Sequence, residues 1–361
     1  MVLLWRLLPG LRRAPPVKPA APFSETSVSV IVPTLNEAGR VGPCLAALSR
    51  QGDPLREVIV VDSGSVDGTP DLVADVAKRD PRFRLERDPP LPEGWIGKVW
   101  ALQHGLSVAA GEWILGIDAD TEPNDGMVAG VVAAARQSGL ELVSFGPMFA
   151  GQSRAERWLQ PALLVTLVYR TGAPGVSVPS ARLLANGQCF LARREVLLAH
   201  GGYAPARDSF ADDVRLARSY ATRGVPSAFL DGRLLYRVRS YRSAVEMWRE
   251  WGRSVDLADA TSSSRHWADV AVLVLGQAMP MPLFALSLFA ASLWPLLAVN
   301  VLLLGVRLAV LIAIAPSYER RGLPFFLSWM CDVPAVFRVV WSTIRRPVEW
   351  RGRTYHVASG G

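Results

Sequence analysis

Asp118-Ala-Asp120 and Asp212-Asp213 are two places where carboxylates stand close together in this chain. Such pairs suit two kinds of chemistry. A hard divalent cation binds one or two carboxylates and fills the rest of its shell with water and substrate phosphate. A carboxylate beside a substrate hydroxyl can instead take its proton as the oxygen attacks. Asp118 and Asp120 are two apart, so on a strand they share a face. At a strand end, turning into a loop, both can point into a cleft. Many solvated loops carry the same pattern, but here it follows the apolar run Trp113-Ile-Leu-Gly-Ile. Asp212 and Asp213 open a helical segment, where acids are favoured by the helix dipole. Capping and proton transfer are compatible readings of that pair. Pro33-Thr-Leu-Asn-Glu37 and Asp62-Ser-Gly-Ser-Val-Asp-Gly-Thr69 add two polar clusters, each after a β-branched run. Gly64 and Gly68 there permit tight turns and close approach by a ligand.

Positioning these groups requires strand ends that share an edge. Residues 27–32, 57–62, 82–85, 113–118, 140–145 and 187–192 read as strands, apolar or β-branched and bounded by turn residues. Helices are predicted over 38–51, 71–79, 98–110, 124–137 and 212–223. The alternation implies βαβ units, a mostly parallel sheet and a Rossmann-like α/β class. In such a sheet ligands bind outside the carboxyl ends of the strands. Three clusters converge there, the arrangement of a nucleotide pocket. Residues 227–231 and 234–239 are predicted to pair as a hairpin across Asp231-Gly232. Residues 158–169 form an apolar helix too short to span, lying against lipid or in a core. Residues 241–258 form a helix carrying Trp248 and Trp251.

The composition narrows the class. The chain has 361 residues and a formal charge of +7, without a Lys/Arg tract interleaved with aromatics. Nucleic acid is therefore not an expected partner, and the excess charge suits a membrane surface, an anionic ligand or an ordinary basic protein surface. Cys44, Cys189 and Cys331 show no metal or disulfide spacing and read as packing residues in a reducing compartment. His104, His200, His266 and His356 are scattered.

From Trp267 onward the chain turns apolar. Two spans are expected, at about 270–291 and 293–315, each near the ~20 residues a crossing needs. A third apolar segment, 325–344, contains Asp332, Pro334 and Arg338 and reads as interfacial or re-entrant. Two crossings place Arg320-Arg321, the basic tail 345–361 and the catalytic part on the cytoplasmic side. The expectation is a multi-pass protein of the cell membrane. Arg307 falls inside the second span, roughly 12 Å from its end at 1.5 Å per residue. It must pair, with Asp332 as the candidate, or snorkel. Residues 1–26 are basic and proline-rich, an interfacial anchor or a disordered segment. The expected division is 1–26, a catalytic domain over 27–260, a membrane region over 267–344 and the tail.

In this order, Pro33-Thr-Leu-Asn-Glu, Asp62-Ser-Gly-Ser-Val-Asp-Gly-Thr, Gly94-Trp-Ile-Gly-Lys98, Asp118-Ala-Asp120 and Phe210-Ala-Asp-Asp-Val-Arg-Leu-Ala217 resemble a family-2 inverting glycosyltransferase of the GT-A fold. The resemblance covers residues 28–257. Gly94–Lys98, Asn186-Gly-Gln188 and Trp350-Arg-Gly-Arg-Thr-Tyr355 are similar to the membrane-associated branch acting on isoprenoid lipids, carotenoid and hopanoid-associated enzymes. It implies transfer of a hexose from a nucleotide-sugar donor to a lipid acceptor, with Mg²⁺ or Mn²⁺. It implies that Pro33, Thr34, Asn36, Glu37, Asp62, Ser63 and Gly64 bind the nucleoside end of the donor, with Lys98 near the diphosphate or sugar. Asp118 would contact ribose or sugar and share the metal with Asp120. Asp213 would be the general base, with Asp212, in place of the usual Glu, binding acceptor or sharing the role. Trp248-Arg-Glu-Trp-Gly-Arg253 departs from the Gln-X-X-Arg-Trp of polymerising relatives, which weighs against processive synthesis. Arg253 or Arg249 would clamp the diphosphate. Gln188, Trp248 and Trp251 would floor the acceptor site, or the tryptophans would anchor the interface. A polysaccharide synthase, a nucleotidyltransferase and a non-catalytic scaffold are the competing readings.

Overall fold

A computed structural model describes residues 1–151, 153–239, 241, 243–289, 291–345, 349–350 and 353–354. The chain divides into two compact units. One comprises Ala14–Met148, Pro174–Ser240 and Val348–Gly361. The other comprises Met1–Arg13, Phe149–Ala173 and Tyr241–Pro347. This division cuts across the linear one expected from the sequence. Residues 14–26 go with the sheet, while 149–173 and 241–260 go with the C-terminal helices.

The strands of the two larger sheets are β1 (Val28–Thr34), β2 (Leu55–Asp62), β3 (Phe83–Arg87), β4 (Trp113–Gly116), β5 (Thr121–Pro123), β6 (Leu142–Gly146), β7 (Met148–Phe149), β8 (Phe190–Arg193), β9 (Ser227–Asp231) and β10 (Tyr236–Val238). Seven of them form a sheet in the order β3-β2-β1-β4-β8-β6-β9. β1 pairs in parallel with β2 and β4, and β2 with β3. Val30, Ile31 and Val32 are fully buried, as are Val58 to Val61. Covered on both faces, such strands read as continuous apolar runs. Each fully buried Val or Ile side chain contributes roughly 1.5–3 kcal/mol. Helix Gly97–Val108 lies close on the sheet because Gly105 has no side chain: a Cβ there would sit 2.5 Å from Ile31 Cγ2.

β8 runs antiparallel to both β4 and β6. Its amino end therefore shares the edge where β1, β2 and β4 finish, bringing Asn186-Gly-Gln188 there. The hairpin expected over 227–239 does not form. β9 pairs in parallel with β6, and β10 pairs antiparallel with β5 in a separate small sheet. Asp231 turns inward, accepting from Arg233 N at 3.2 Å and Arg233 Nη1 at 2.6 Å. Gly232 N donates to Gly146 O, 2.9 Å. The chain leaves the large sheet at that point. It rejoins beside β5, the strand that follows Asp118-Ala-Asp120.

The second unit is helical. Helix Arg154–Thr171 starts on a capping box, in which Ser153 and Glu156 satisfy each other's amides. It buries Ala162, Leu163, Val165 and Tyr169 against Met247, Trp251, Val255, Leu273, Leu311 and Val339. Residues 1–13 are ordered in this unit. Helix Val2–Leu7 buries Leu3, and Arg6 pairs with Asp269 at 2.7 Å. Helix Trp294–Ser317, 24 residues, is long and apolar enough to cross a membrane by length and composition. The first expected span is not straight. Ser263–Ala278 and Pro280–Ser287 pass the same test only together and are bent by 44°. Pro280 lacks an amide to continue the ladder and explains the break. The third apolar segment is also broken, into Gly322–Phe326, Ser328–Cys331 and Asp332–Ile344.

Arg307 does find Asp332. Nε contacts Oδ2 at 2.8 Å and Nη2 contacts Oδ1 at 3.0 Å. Gln277 Nε2 donates to Asp332 Oδ1 at 2.9 Å, and Arg307 Nη2 reaches Ser328 Oγ at 3.3 Å. Four helical segments are pinned together around this one buried pair. Most of the tail, including Arg346, Arg351 and Tyr355, lies outside the described residues.

Candidate active site

Asp118 and Asp120 sit just past β4. Ile117 N still donates to Ile31 O at 3.0 Å, and Thr121 N then closes a turn on Asp118 O, also 3.0 Å. The two carboxylates therefore stand at the first and third positions of one β-turn. Cys44 lies beneath them, its Sγ 3.9 Å from Asp118 O. Burial, with the added charges of Asp120, Asp118 and Glu122, drives its thiol pKa far up. This thiol stays neutral packing, and all three cysteines are buried and free. Glu122 is spoken for by Arg237 at 2.6 Å and Arg239 at 3.2 Å.

Lys98 enters from the first turn of helix Gly97–Val108, with Nζ 2.8 Å from Asp118 Oδ1. Burial alone would favour its neutral form. Asp118, Asp212 and Asp213 outweigh that and hold its pKa above the ordinary lysine value. One cation is thus shared by both acidic clusters.

Asp213 lies in the first turn of helix Asp212–Thr222. Its Oδ2 accepts from Gly187 N at 2.7 Å and its Oδ1 from Val214 N at 2.8 Å. Burial first, then Asp212, pushes its carboxyl up to about 7, against the pull of Lys98 and the two amides. Gly187 is what lets the clusters meet. A Cβ there would fall 2.9 Å from Lys98 Nζ and 3.8 Å from Asp213 Oδ2. Tyr236, buried on β10, donates to Phe145 O. After burial and Cys189, the charges of Asp118, Asp120 and Asp213 push its phenol pKa up. Three carboxylates from two stretches of chain thus bear on one buried hydroxyl.

The ends of β1 and β2 are tied together. Asp62 accepts from Thr34 Oγ1 at 3.2 Å, Gly64 N at 3.1 Å, Ser65 N at 2.9 Å and Ser65 Oγ. Ser63 Oγ donates to Asp88 Oδ2 at 2.8 Å. Asn36 adopts φ 55°, the left-handed region asparagine tolerates. Its amide donates to Ser65 Oγ at 2.8 Å and its Oδ1 accepts from Val66 N at 3.0 Å. Glu37 N donates to Thr69 Oγ1 at 2.9 Å. Pro33, Thr34, Asn36, Glu37, Asp62, Ser63 and Gly64 therefore form one rim on the edge that carries Asp118. Gln188 is braced by Asn186, whose Nδ2 reaches Oε1 at 3.0 Å, and its carbonyl accepts from Thr121 Oγ1 at 3.3 Å.

Trp248, Trp251 and Arg253 belong to the helical unit, on helix Ala244–Ser254. Trp251 is buried in that unit's apolar core, edge-on to Phe149 and Tyr241. Trp248 lies under the Arg338 guanidinium, 6.0 Å from its ring centroid, and its carbonyl accepts from Arg338 Nε at 2.9 Å. The side chain of Arg253 is outside the described residues. Sequence reasoning missed the donor role of Gly187 N and the place of Tyr236. A glycine just before a strand was the available signal for the first. The second depended on a strand pairing that no local pattern encodes.

Among the described residues no three His, Cys, Asp or Glu side chains gather as a metal site. The donor set at the turn nevertheless fits Mg²⁺ or Mn²⁺. Asp118 and Asp120 present hard oxygens from the first and third positions of one turn, and such ions take only one or two carboxylates when phosphate completes the shell.

Residues 29–200 match the family model described as glycosyl transferase family 2. That segment is a glycosyltransferase family 2 region. The chain is 24% identical to a 4,4'-diaponeurosporenoate glycosyltransferase of Staphylococcus haemolyticus, over 74% of this chain and 71% of the relative. It is 22% identical to the protein of the same description from Staphylococcus aureus, over 93% of this chain and 90% of that one. Among solved structures, the mannosyltransferase PcManGT from Pyrobaculum calidifontis, in complex with GDP-Man and Mn²⁺, superposes with a TM-score of 0.57. That likeness covers 95% of this glycosyltransferase and 94% of the other chain at 22% identity, and shows that the GT-A fold is shared.

Proposed function

We propose that this glycosyltransferase moves a hexose, with inversion, from a nucleotide diphosphate sugar of the UDP-sugar class to a hydroxyl or carboxylate of a membrane isoprenoid lipid of the carotenoid type. The observation that carries the reading is the charge relay of position: Lys98 lies against Asp118 and within electrostatic reach of Asp212 and Asp213. Metal-side and acceptor-side acids thereby address one volume. The carotenoid class rests on the names of the two staphylococcal relatives.

The rim of Thr34, Asn36, Glu37, Asp62 and Ser63 would hold the nucleoside. Asp120 and Asp118 would hold Mg²⁺ or Mn²⁺, which when bound supplies Lewis-acid neutralisation of the leaving diphosphate. Lys98 adds a fixed positive charge beside that leaving group. Asp213 accepts the acceptor hydroxyl's proton while its oxygen forms the bond to the anomeric carbon and the diphosphate departs from the opposite face. A carboxyl near 7 is well matched to that task at neutral pH. Asp212 keeps Asp213 basic by like-charge repulsion.

The helical unit would bring the acceptor from the lipid. Its surface carries most of the large apolar side chains left exposed, including Trp267, Phe289, Trp294, Leu302 and Phe337. Helix Trp294–Ser317 would cross the cell membrane, with the bent pair as a second crossing, leaving the catalytic unit in the cytoplasm. The test incubates membranes containing the protein with radiolabelled nucleotide-sugars, with and without chelator. Labelled lipid should appear with one donor, require Mg²⁺ or Mn²⁺ and vanish in Asp120→Ala. No labelled lipid from any donor, or long polymer instead, would overturn the proposal.

A further inference from the structure

The helical unit contains an apolar groove of about 280 Å³. Trp158, Leu323, Pro324, Leu327 and Met330 line it, with Arg154 as its one charged wall residue. The volume is near the lower end of small-ligand cavities, roughly 300–1,000 Å³. It suits a stretch of hydrocarbon better than a sugar nucleotide. The groove is held in shape. Trp158 Nε1 donates to Leu327 O at 3.0 Å, which fixes the indole wall. Leu323 is 70% exposed and Met330 51%, so the opening faces outward.

Its mouth is basic. Arg154 is exposed in the first turn of helix Arg154–Thr171. Arg157 reaches the other side, Nη1 lying 4.0 Å from where a Cβ on Gly322 would stand. Arg320 and Arg321 are exposed just before that glycine. Two acids are near in sequence. Glu156 is buried and its Oε2 accepts from Ser153 N at 2.6 Å in the capping box. Glu319 is exposed, and its amide donates to Phe149 O at 3.1 Å. Arg154 on the wall and Arg157 beside Gly322 leave a positive rim beside an apolar slot, with Arg320 and Arg321 adjoining in sequence.

We infer that this groove binds an anionic phospholipid, with an acyl chain in the slot and the phosphate at the arginines. Apolar wall and cationic rim side by side are complementary to that amphiphile and to neither a free anion nor a neutral chain. The inference rests on the reading that this unit is embedded in a bilayer. The lipid would lock segment Gly322–Phe326 and the turn Ser328–Cys331 against helix Arg154–Thr171 at the membrane surface.

The test reconstitutes the full chain in nanodiscs with brominated phosphatidylglycerol or brominated phosphatidylcholine and follows tryptophan fluorescence. The Trp158 signal is the difference between wild type and Trp158→Phe. It should be quenched by the anionic lipid at a roughly tenfold lower mole fraction, since each arginine near the surface adds a factor of that order or less. Arg154→Gln/Arg157→Gln, checked for normal glycosyl transfer, should erase the preference while the other tryptophans quench as before. Equal quenching of Trp158 by both lipids, or a preference that survives the double variant, would overturn the inference. If Trp267 and Trp294 also escape quenching by either lipid, the membrane reading itself fails, which separates the two outcomes.

Discussion

Asp213→Asn should make the protein catalytically poor and, above pH ~7, no less stable. Burial and Asp212 raise the Asp213 carboxyl from 3.8 to about 7. Between those values the native state binds a proton that the unfolded chain does not. Its contribution to stability therefore falls as pH rises through that window and is lost above about 7. At ~1.4 kcal/mol per pH unit the penalty has a ceiling of ~4 kcal/mol. The side chain is only half-buried, so solvent screening reduces this to roughly 1–2 kcal/mol. Asparagine carries no charge but offers one acceptor where two amides, Gly187 N and Val214 N, now donate. Losing one such bond costs about 1 kcal/mol. The variant should match or exceed wild type by up to ~1 kcal/mol at pH 8, which is about 2–4 °C for a unit of this size. At pH 5 only about a third of that window has been crossed, so most of the penalty is absent and the variant should be the less stable protein. Thermal unfolding at the two pH values reads this reversal directly. Activity should fall by roughly 10²–10⁴, the usual share of a general base. The wild-type kcat/KM should decline below pH ~7 as Asp213 takes up its proton, and that limb should vanish in the variant. Lys98 stays charged through this range and cannot supply it. A variant with wild-type turnover and the same acid limb would refute the base assignment. It would also favour a carboxylate acceptor, which arrives ionised and needs no base.

Gly187→Ala would place a Cβ 2.9 Å from Lys98 Nζ; the lysine should be displaced, with kcat/KM down about 10²-fold for a misplacement of this size and donor affinity, read by calorimetry, weakened as well. Asp120→Asn should abolish the response of donor binding to added Mn²⁺ while leaving the far-ultraviolet circular dichroism unchanged; an unaltered titration would remove Asp120 from the metal site. Arg307→Leu alone should destabilise the helical unit by about 3–5 kcal/mol, because it strands the buried Asp332 charge. The double variant Arg307→Leu/Asp332→Leu should recover most of that loss in detergent melts, and failure to recover would mean the pair does more than neutralise itself.

Much of the site was legible as sequence because its chemistry is local. Asp118-Ala-Asp120 follows an apolar strand, and a parallel sheet forces such a strand end onto the ligand edge. Asp62 and Thr34 were placed by the same rule, and their contact at 3.2 Å follows from the register of β1 on β2. Arg307 with Asp332 was legible for a different reason. Two opposite charges in apolar sequence have few other ways to avoid the cost of burial. The strand pair at 227–239 was not legible. Asp231-Gly232 has the residues of a tight hairpin turn, yet β9 finds a long parallel partner in β6 and β10 an antiparallel one in β5. Turn propensity is a local preference, and pairing with a strand distant in sequence outweighs it.

By itself the sequence determined which residue types stand at each strand end, the α/β alternation and the apolar character beyond Trp267. Those are properties of short windows, fixed by side-chain periodicity and backbone preference. Only the tertiary structure decided that β8 runs against its neighbours, that Gly187 therefore hands its amide to Asp213, and that Lys98 answers to both acidic clusters. It also decided that residues 1–13 and 149–173 pack with the C-terminal helices. The physical reason is that these depend on which surfaces bury one another across long separations. Electrostatic coupling between carboxylates nearly a hundred residues apart exists only once the sheet has brought them together.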